Sequence, residues 1–122
     1  MPDIHSIRTP HEIILEHGKY LFEMTGGLLN YEIERIQKNA PFTYEFFICV
    51  PALQYRQLLL RITHDIKLFP AILCHEPSGA EYTSNNQKEI EDDLGAILSS
   101  EETRTSISGL VAQACLEAQL KK

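Results

Sequence analysis

The centre of the chain reads FTYEFFICV over residues 42–50, a run dominated by aromatic and aliphatic side chains. This composition is typical of a central strand, because such side chains pack well on the pleated surface of a sheet. Pro51 follows directly, and strand pairing should be interrupted there because proline has no backbone N–H to donate. We therefore predict a strand over residues 42–50 and interpret the segments on either side relative to it.

Three flanking segments also have the character of strands. Residues 29–34 (LNYEIE) alternate apolar and polar side chains, which predicts a strand with one face in water. Residues 54–65 and 69–75 are predicted as the third and fourth strands, with Pro70 at a starting position where a missing donor is tolerated. Short connections favour antiparallel hairpins, because parallel crossovers need a dozen or more residues. The sequence therefore predicts a four-stranded antiparallel sheet over residues 28–76.

A helix is predicted before the sheet. Thr9 can cap it, and Glu12 three residues later completes a capping box. Gly26 and Gly27 can end it, because glycine accepts the left-handed conformation without steric cost. Its apolar stripe comprises Ile13, Ile14, Leu21 and Met24. The predicted boundaries are an N-terminal arm over residues 1–8 and a helix over residues 9–27.

Two further helices are predicted after the sheet, beyond a polar loop over residues 77–85. Asn86 can cap the first, with Glu89 three residues later. Ser99 and Glu102 form a second candidate capping box, which divides residues 86–120 into a helical pair. The expected fold class is thus α+β, a single domain over residues 1–122 with the element order αββββαα.

Charge and composition restrict the classes of partner. The chain has 122 residues, a formal net charge of −6 and 11 scattered Lys and Arg residues. Proteins that bind phosphate backbones need clustered basic residues, so we expect no nucleic-acid partner. In particular, a DNA-binding helix pair is disfavoured, since Lys88 and Arg104 are its only cations over residues 86–120. The apolar runs fall far short of the ~20 residues that cross a bilayer, so we expect no membrane association.

The cysteines and the N-terminus favour a cytoplasmic location. Cys49, Cys74 and Cys115 are an odd number, widely spaced, and each lies in an apolar stretch. We interpret them as small apolar residues of a reducing compartment. The first residues also lack the basic and apolar regions of a secretion signal.

No catalytic, metal or cofactor signature is convincing. His11-Glu12 begins an HExxH pattern, but Leu15 occupies the second ligand position and cannot bind zinc. Cys74 and His75 are adjacent in a predicted strand, so their side chains should point to opposite faces. The phosphate-binding and nucleophile-elbow glycine motifs are absent. We therefore expect no catalytic residue, metal ion or cofactor, and these absences favour a non-enzymatic protein over an enzyme.

The leading functional hypothesis comes from the sheet. If one face carries Phe46, Ile48, Leu58, Leu60 and Ile62 into the core, the other still carries Phe47, Cys49, Leu59 and Ile72. That second face is too apolar for simple exposure to water. Either helices of the same chain cover it, or a partner does. We therefore predict a non-enzymatic protein-binding or assembly module, of an immunity-, antitoxin- or chaperone-like kind, with a protein partner or a homodimer.

An alternative hypothesis is a small-ligand binder or enzyme with a polar pocket at one end of the sheet. His64 and His75 fall on the same face of the predicted hairpin, with Arg61 and Tyr55 on the same strand as His64. Arg61 would pair with an anionic group. This hypothesis requires the four side chains to converge on a cavity.

Overall fold

The computed structural model describes residues 8–37 and 39–120. Of the predicted N-terminal arm, residues 1–7 lie outside this part, as do Lys38, Lys121 and Lys122. The helices are α1 (Pro10–Met24), α2 (Gln87–Ser99) and α3 (Glu101–Leu120), and a short 3₁₀-helix covers Pro51–Leu53. The strands are β1 (Asn30–Gln37), β2 (Phe42–Val50), β3 (Tyr55–His64), β4 (Ala71–His75) and β5 (Glu81–Ser84).

The five strands form one antiparallel sheet in the order β1-β2-β3-β4-β5. The α+β class is confirmed, with one helix before the sheet and two after it. The predicted number of strands was wrong, because β5 lies within the segment predicted as a polar loop. This strand has only four residues and a polar sequence, which no alternation rule distinguishes from a loop. It forms by pairing with β4, where Tyr82 lies opposite Leu73.

The capping signals at the two helix starts are confirmed. The side chain of Thr9 accepts a hydrogen bond from the backbone N–H of Glu12 at 3.2 Å. The side chain of Asn86 accepts one from the N–H of Glu89 at 2.9 Å. The cap of α3 is Ser100 rather than Ser99, because the Ser100 hydroxyl accepts from the N–H of Thr103 at 3.3 Å. One residue therefore separates α2 from α3.

The three helices pack on one face of the sheet. The core joins Ile13 of α1, Ile90 of α2 and Ala114 of α3 to Phe46 and Ile62 of the sheet, all of them 0–1% exposed. The structure is therefore a two-layer sandwich of helices and sheet. The second face of the sheet, which we call the open face, lies away from this core.

A β-bulge exchanges two of the predicted face assignments. Leu60 lies opposite Phe46, but Leu58 lies opposite Phe47, so Leu59 is an extra residue in β3. Leu58 therefore shares the open face with Phe47, whereas Leu59 is fully buried in the core. The sequence prediction had these two leucines on the wrong faces, because strict alternation has no place for an inserted residue.

Within the described ranges, no helix is both long enough and apolar enough to cross a membrane.

Candidate functional site

The open face, which the sequence suggested as an interface, is dominated by ion pairs. The Arg56 guanidinium lies 4.0 Å from the centre of the Phe47 ring. It also donates to the carboxylates of Glu32 at 3.1 Å and Glu34 at 2.5 Å. The hydrogen bond with Glu34, the largest effect, raises the pKa of Arg56 above its usual value. Phe47 is consequently only 9% exposed, because it is covered by a charged group of its own chain.

A second ion pair lies further along the same face. Arg61 donates to one carboxylate oxygen of Glu45 from Nε at 3.2 Å and from Nη2 at 2.6 Å. This hydrogen bond is the main cause of a raised pKa at Arg61. Ile72 is 38% exposed and remains the most accessible apolar residue among those predicted for an interface. The open face is therefore a mixed surface in which charged groups already satisfy one another.

The two cysteines of the open face are poor nucleophiles. Burial raises the pKa of the Cys49 thiol, and the neighbouring charge of Glu32 raises it further. Burial is also the largest cause of the raised pKa at Cys74, followed by Glu81, which lies 3.8 Å from its sulfur. Both groups therefore favour the protonated thiol, which is the unreactive form.

The four residues of the alternative pocket do not converge. Tyr55 begins β3 and is 49% exposed, whereas His64 ends the same strand and is buried. Arg61 lies on the open face with Glu45. His64 pairs with Ala71 and His75 with Leu60, so the two histidines are four ladder positions, about 13 Å, apart. The structure brings none of these side chains into a shared cavity.

His75 is buried, and both of its ring nitrogens lie within hydrogen-bond distance of a hydroxyl group. Its Nδ1 lies 2.7 Å from the Ser78 hydroxyl, and its Nε2 lies 2.9 Å from the Thr103 hydroxyl of α3. Burial lowers its pKa below the ordinary value of 6.5. The neutral imidazole therefore joins β4 to the first turn of α3, with both ring nitrogens satisfied.

His64 is packed into an aromatic cluster. Its ring stacks at 5.8 Å on Tyr44, which in turn lies 5.1 Å from the ring of His11. Its Nδ1 donates to the Asp65 carbonyl oxygen at 2.8 Å, and the buried Nε2 has no hydrogen-bond partner among the described residues. Tyr44 lies between the two imidazoles, so they do not face a common ligand. In the part of the chain that the structure describes, no three metal-ligating side chains are grouped.

The helical layer contains a feature that the sequence did not predict. A groove of about 570 Å³ lies between the three helices. Its lining is mostly apolar, with Tyr20, Leu21 and Met24 from α1, Leu98 from α2, and Arg104 and Ile107 from α3. Tyr20 is 64% exposed and Met24 is 55% exposed. The sequence prediction included Met24 in the apolar stripe of the first helix, but the structure leaves it exposed at the groove.

The polar groups of the groove are few and lie among the apolar ones. His17 uses Nδ1 to contact the Ile13 carbonyl oxygen of its own helix at 2.9 Å. Ser99 donates to the Gly95 carbonyl oxygen at 2.7 Å. Arg104 is exposed and remains available to a bound group. The groove can therefore bury apolar side chains of a bound molecule and offer it a small number of polar contacts.

The chain matches no family model, no curated protein and no solved structure.

Proposed function

We propose that this protein is a non-enzymatic binding module that takes an amphipathic helix of a partner protein into the groove between α1, α2 and α3. The observation that carries the proposal is the groove itself, an apolar cleft of about 570 Å³ whose largest side chains stay exposed. Holding such a segment would sequester the partner, as immunity-, antitoxin- and chaperone-like proteins do.

The residue types of the groove support a protein partner. Tyrosine, methionine and arginine are enriched in the centres of protein interfaces, and Tyr20, Met24 and Arg104 line this groove. Tyrosine contributes a large rigid area together with a polar hydroxyl, and methionine adapts its shape to irregular partners. Leu98 and Ile107 add aliphatic surface between them. A helix that presents apolar side chains three and four residues apart is the natural occupant of such a groove.

Charge indicates the polar side of that occupant. The chain carries a formal net charge of −6. Near the groove, Glu23 precedes Met24, and Glu101 lies one helical turn before Arg104; both glutamates are exposed. Acidic residues beside an apolar cleft attract basic residues on the partner and speed association at low salt. We therefore assign the partner segment lysine or arginine residues beside its apolar stripe.

A labelled model peptide tests this proposal directly. The probe is a 20-residue fluorescent peptide with leucine at helical spacing and lysine elsewhere, and fluorescence anisotropy measures its dissociation constant. The double variant Tyr20→Ala/Met24→Ala should weaken binding by about tenfold or more, since central interface residues each contribute about 1 kcal/mol or more. The variant Phe22→Ala is the matched control, because Phe22 is 44% exposed on the same helix but does not line the groove. It should bind within about twofold of the parent, within the usual scatter of contact-neutral substitutions.

A second peptide, with glutamate in place of every lysine, checks the charge argument and should bind more weakly than the basic one. Equal loss of affinity in Phe22→Ala and in the double variant would contradict the groove as the binding site. Amide chemical-shift changes confined to β1 and β2 on peptide addition would also overturn it, because those strands carry the open face.

A further inference from the structure

Arg104 brings a positive charge into the groove, and the fold does not balance this charge. Among the described residues no carboxylate pairs with its guanidinium, and the exposed Glu101 one helical turn earlier does not do so either. The other four arginines each have a partner within the chain. Arg8 pairs with Glu91, Arg56 with Glu32 and Glu34, and Arg61 with Glu45, and Arg35 lies over the ring of Phe42.

The other polar side chains of the groove supply no acceptor of negative charge for this cation. His17 and Ser99 both donate to carbonyl oxygens of their own helices, at 2.9 Å and 2.7 Å. Tyr20 and Ser108 add two hydroxyl groups, which have no hydrogen-bond partner among the described residues and can donate to a bound group. No carboxylate occurs among the described residues that line the groove. The groove therefore offers hydrogen-bond donors and one cation to its occupant.

The apolar surroundings make an unpaired Arg104 unfavourable once the groove is filled. Ile107 lies one helical turn after Arg104 on the same side of α3, and Leu21 and Leu98 line the groove from the other two helices. In the free protein the guanidinium is exposed to water. A helix that covers these residues removes that water, and burial of a charge without a partner is strongly unfavourable. A carboxylate opposite the guanidinium would replace the lost water contacts with charge-assisted hydrogen bonds.

We infer that the partner helix carries one aspartate or glutamate within its apolar stripe, and that Arg104 binds this carboxylate and so selects the partner. The inference rests on the proposed function, because it concerns the occupant of the same groove. The acidic residue lies about one helical turn from the apolar residue that contacts Ile107, since Arg104 and Ile107 are three residues apart. Tyr20 and Met24 supply contact area, whereas Arg104 discriminates between partners with and without the carboxylate.

Peptides that differ at one position test this selection. The parent probe is again the fluorescent leucine–lysine peptide, and each derivative has one leucine of its stripe replaced by glutamate or by glutamine, which is similar in shape but uncharged. Every stripe position is changed in turn, because the position opposite Arg104 depends on the direction of the peptide. At one position the glutamate peptide should bind about tenfold more tightly than the glutamine peptide, since close charge pairs in interfaces contribute at least this much.

Variants of Arg104 assign the preference to its charge. Arg104→Gln should abolish the preference for glutamate, and Arg104→Lys should keep part of it, because lysine retains the charge without the planar fork. With Arg104→Glu, a peptide with lysine at the same position should bind about tenfold more tightly than the glutamate peptide. Lys19→Gln is the matched control, because it removes the same charge from an exposed position of α1 that does not line the groove. Its preference should stay within about twofold of the parent protein.

Two results would overturn the inference while leaving the groove proposal intact. One is equal binding of the glutamate and glutamine peptides at every stripe position, and the other is a glutamate preference that persists in Arg104→Gln. The groove proposal depends instead on the double variant Tyr20→Ala/Met24→Ala, which should weaken the binding of every peptide. Failure of every peptide to bind would refute the groove proposal and, with it, the role of Arg104.

Discussion

Replacement of Gly18 by alanine should destabilise the protein, although alanine is the better helix former. Gly18 is a buried residue of α1, and a Cβ atom placed on it would lie 2.6 Å from Cδ2 and 2.7 Å from Cγ of Tyr31. Carbon atoms in contact normally lie about 3.5–4.0 Å apart. The Tyr31 ring is stacked on Phe46 at 6.0 Å, and Phe46 is 1% exposed in the core. Neither ring can move away without disturbing the packing of β1 on β2.

The expected magnitude combines two opposing effects. Overpacking a well-filled core costs about 1–3 kcal/mol. The higher helix propensity of alanine offsets about 0.8–1.0 kcal/mol of this cost. The free energy of unfolding should therefore fall by about 1 kcal/mol, which lowers the melting temperature of a domain of this size by about 4 °C.

Thermal unfolding followed by circular dichroism measures this change, and Gly95→Ala is the matched control. Gly95 lies within α2, and a Cβ atom there would meet nothing within 4 Å. This variant should gain about 0.5–1 kcal/mol, because only the propensity effect operates. The reasoning is refuted if Gly18→Ala raises the melting temperature as Gly95→Ala does. It is also refuted if the penalty persists unchanged in a Tyr31→Ala background, since removal of the ring should abolish the clash.

Three further results are expected. The pKa of His75 is lowered in the folded state, so the unfolded chain binds its proton more readily and the free energy of unfolding should fall as the pH drops below about 6.5. Urea titrations between pH 7 and 5 should show a smaller fall in this free energy for His75→Gln than for the parent. An identical fall in both proteins would contradict this reasoning. Cys115 is exposed, whereas burial raises the pKa values of Cys49 and Cys74. During timed alkylation, mass spectrometry should therefore find Cys115 modified well before the other two cysteines. Labelling of all three cysteines at the same rate would contradict this prediction. Asn86→Ala removes the cap of α2 and should lower the free energy of unfolding in urea by about 1 kcal/mol, whereas an unchanged midpoint would show that the cap contributes nothing.

Local signals were sufficient for most of the elements. The capping residues Thr9 and Asn86 mark helix starts because they act on backbone groups within the next three residues. The alternation of residues 29–34 and the composition of residues 42–50 likewise depend on neighbours along the chain. These signals act over a few residues, so the sequence by itself predicts them. They also indicate correctly that the strands pair as antiparallel hairpins.

Local signals could not predict the groove, because its walls come from three helices whose relative placement no local pattern specifies. Met24 was predicted in the apolar stripe of the first helix, yet it is 55% exposed at the groove.

The sequence by itself determined the α+β class, the helix starts, the antiparallel pairing and the acidic surface. Tertiary structure alone decided the fifth strand, since residues 81–84 become a strand only by pairing with β4. It also decided which face Leu58 and Leu59 occupy, because one extra residue in β3 reverses the alternation. Finally, it placed all three helices on one face and left a groove between them. The physical reason is common to these features: each depends on contacts between segments far apart in the chain, whose energies are not encoded in any short stretch.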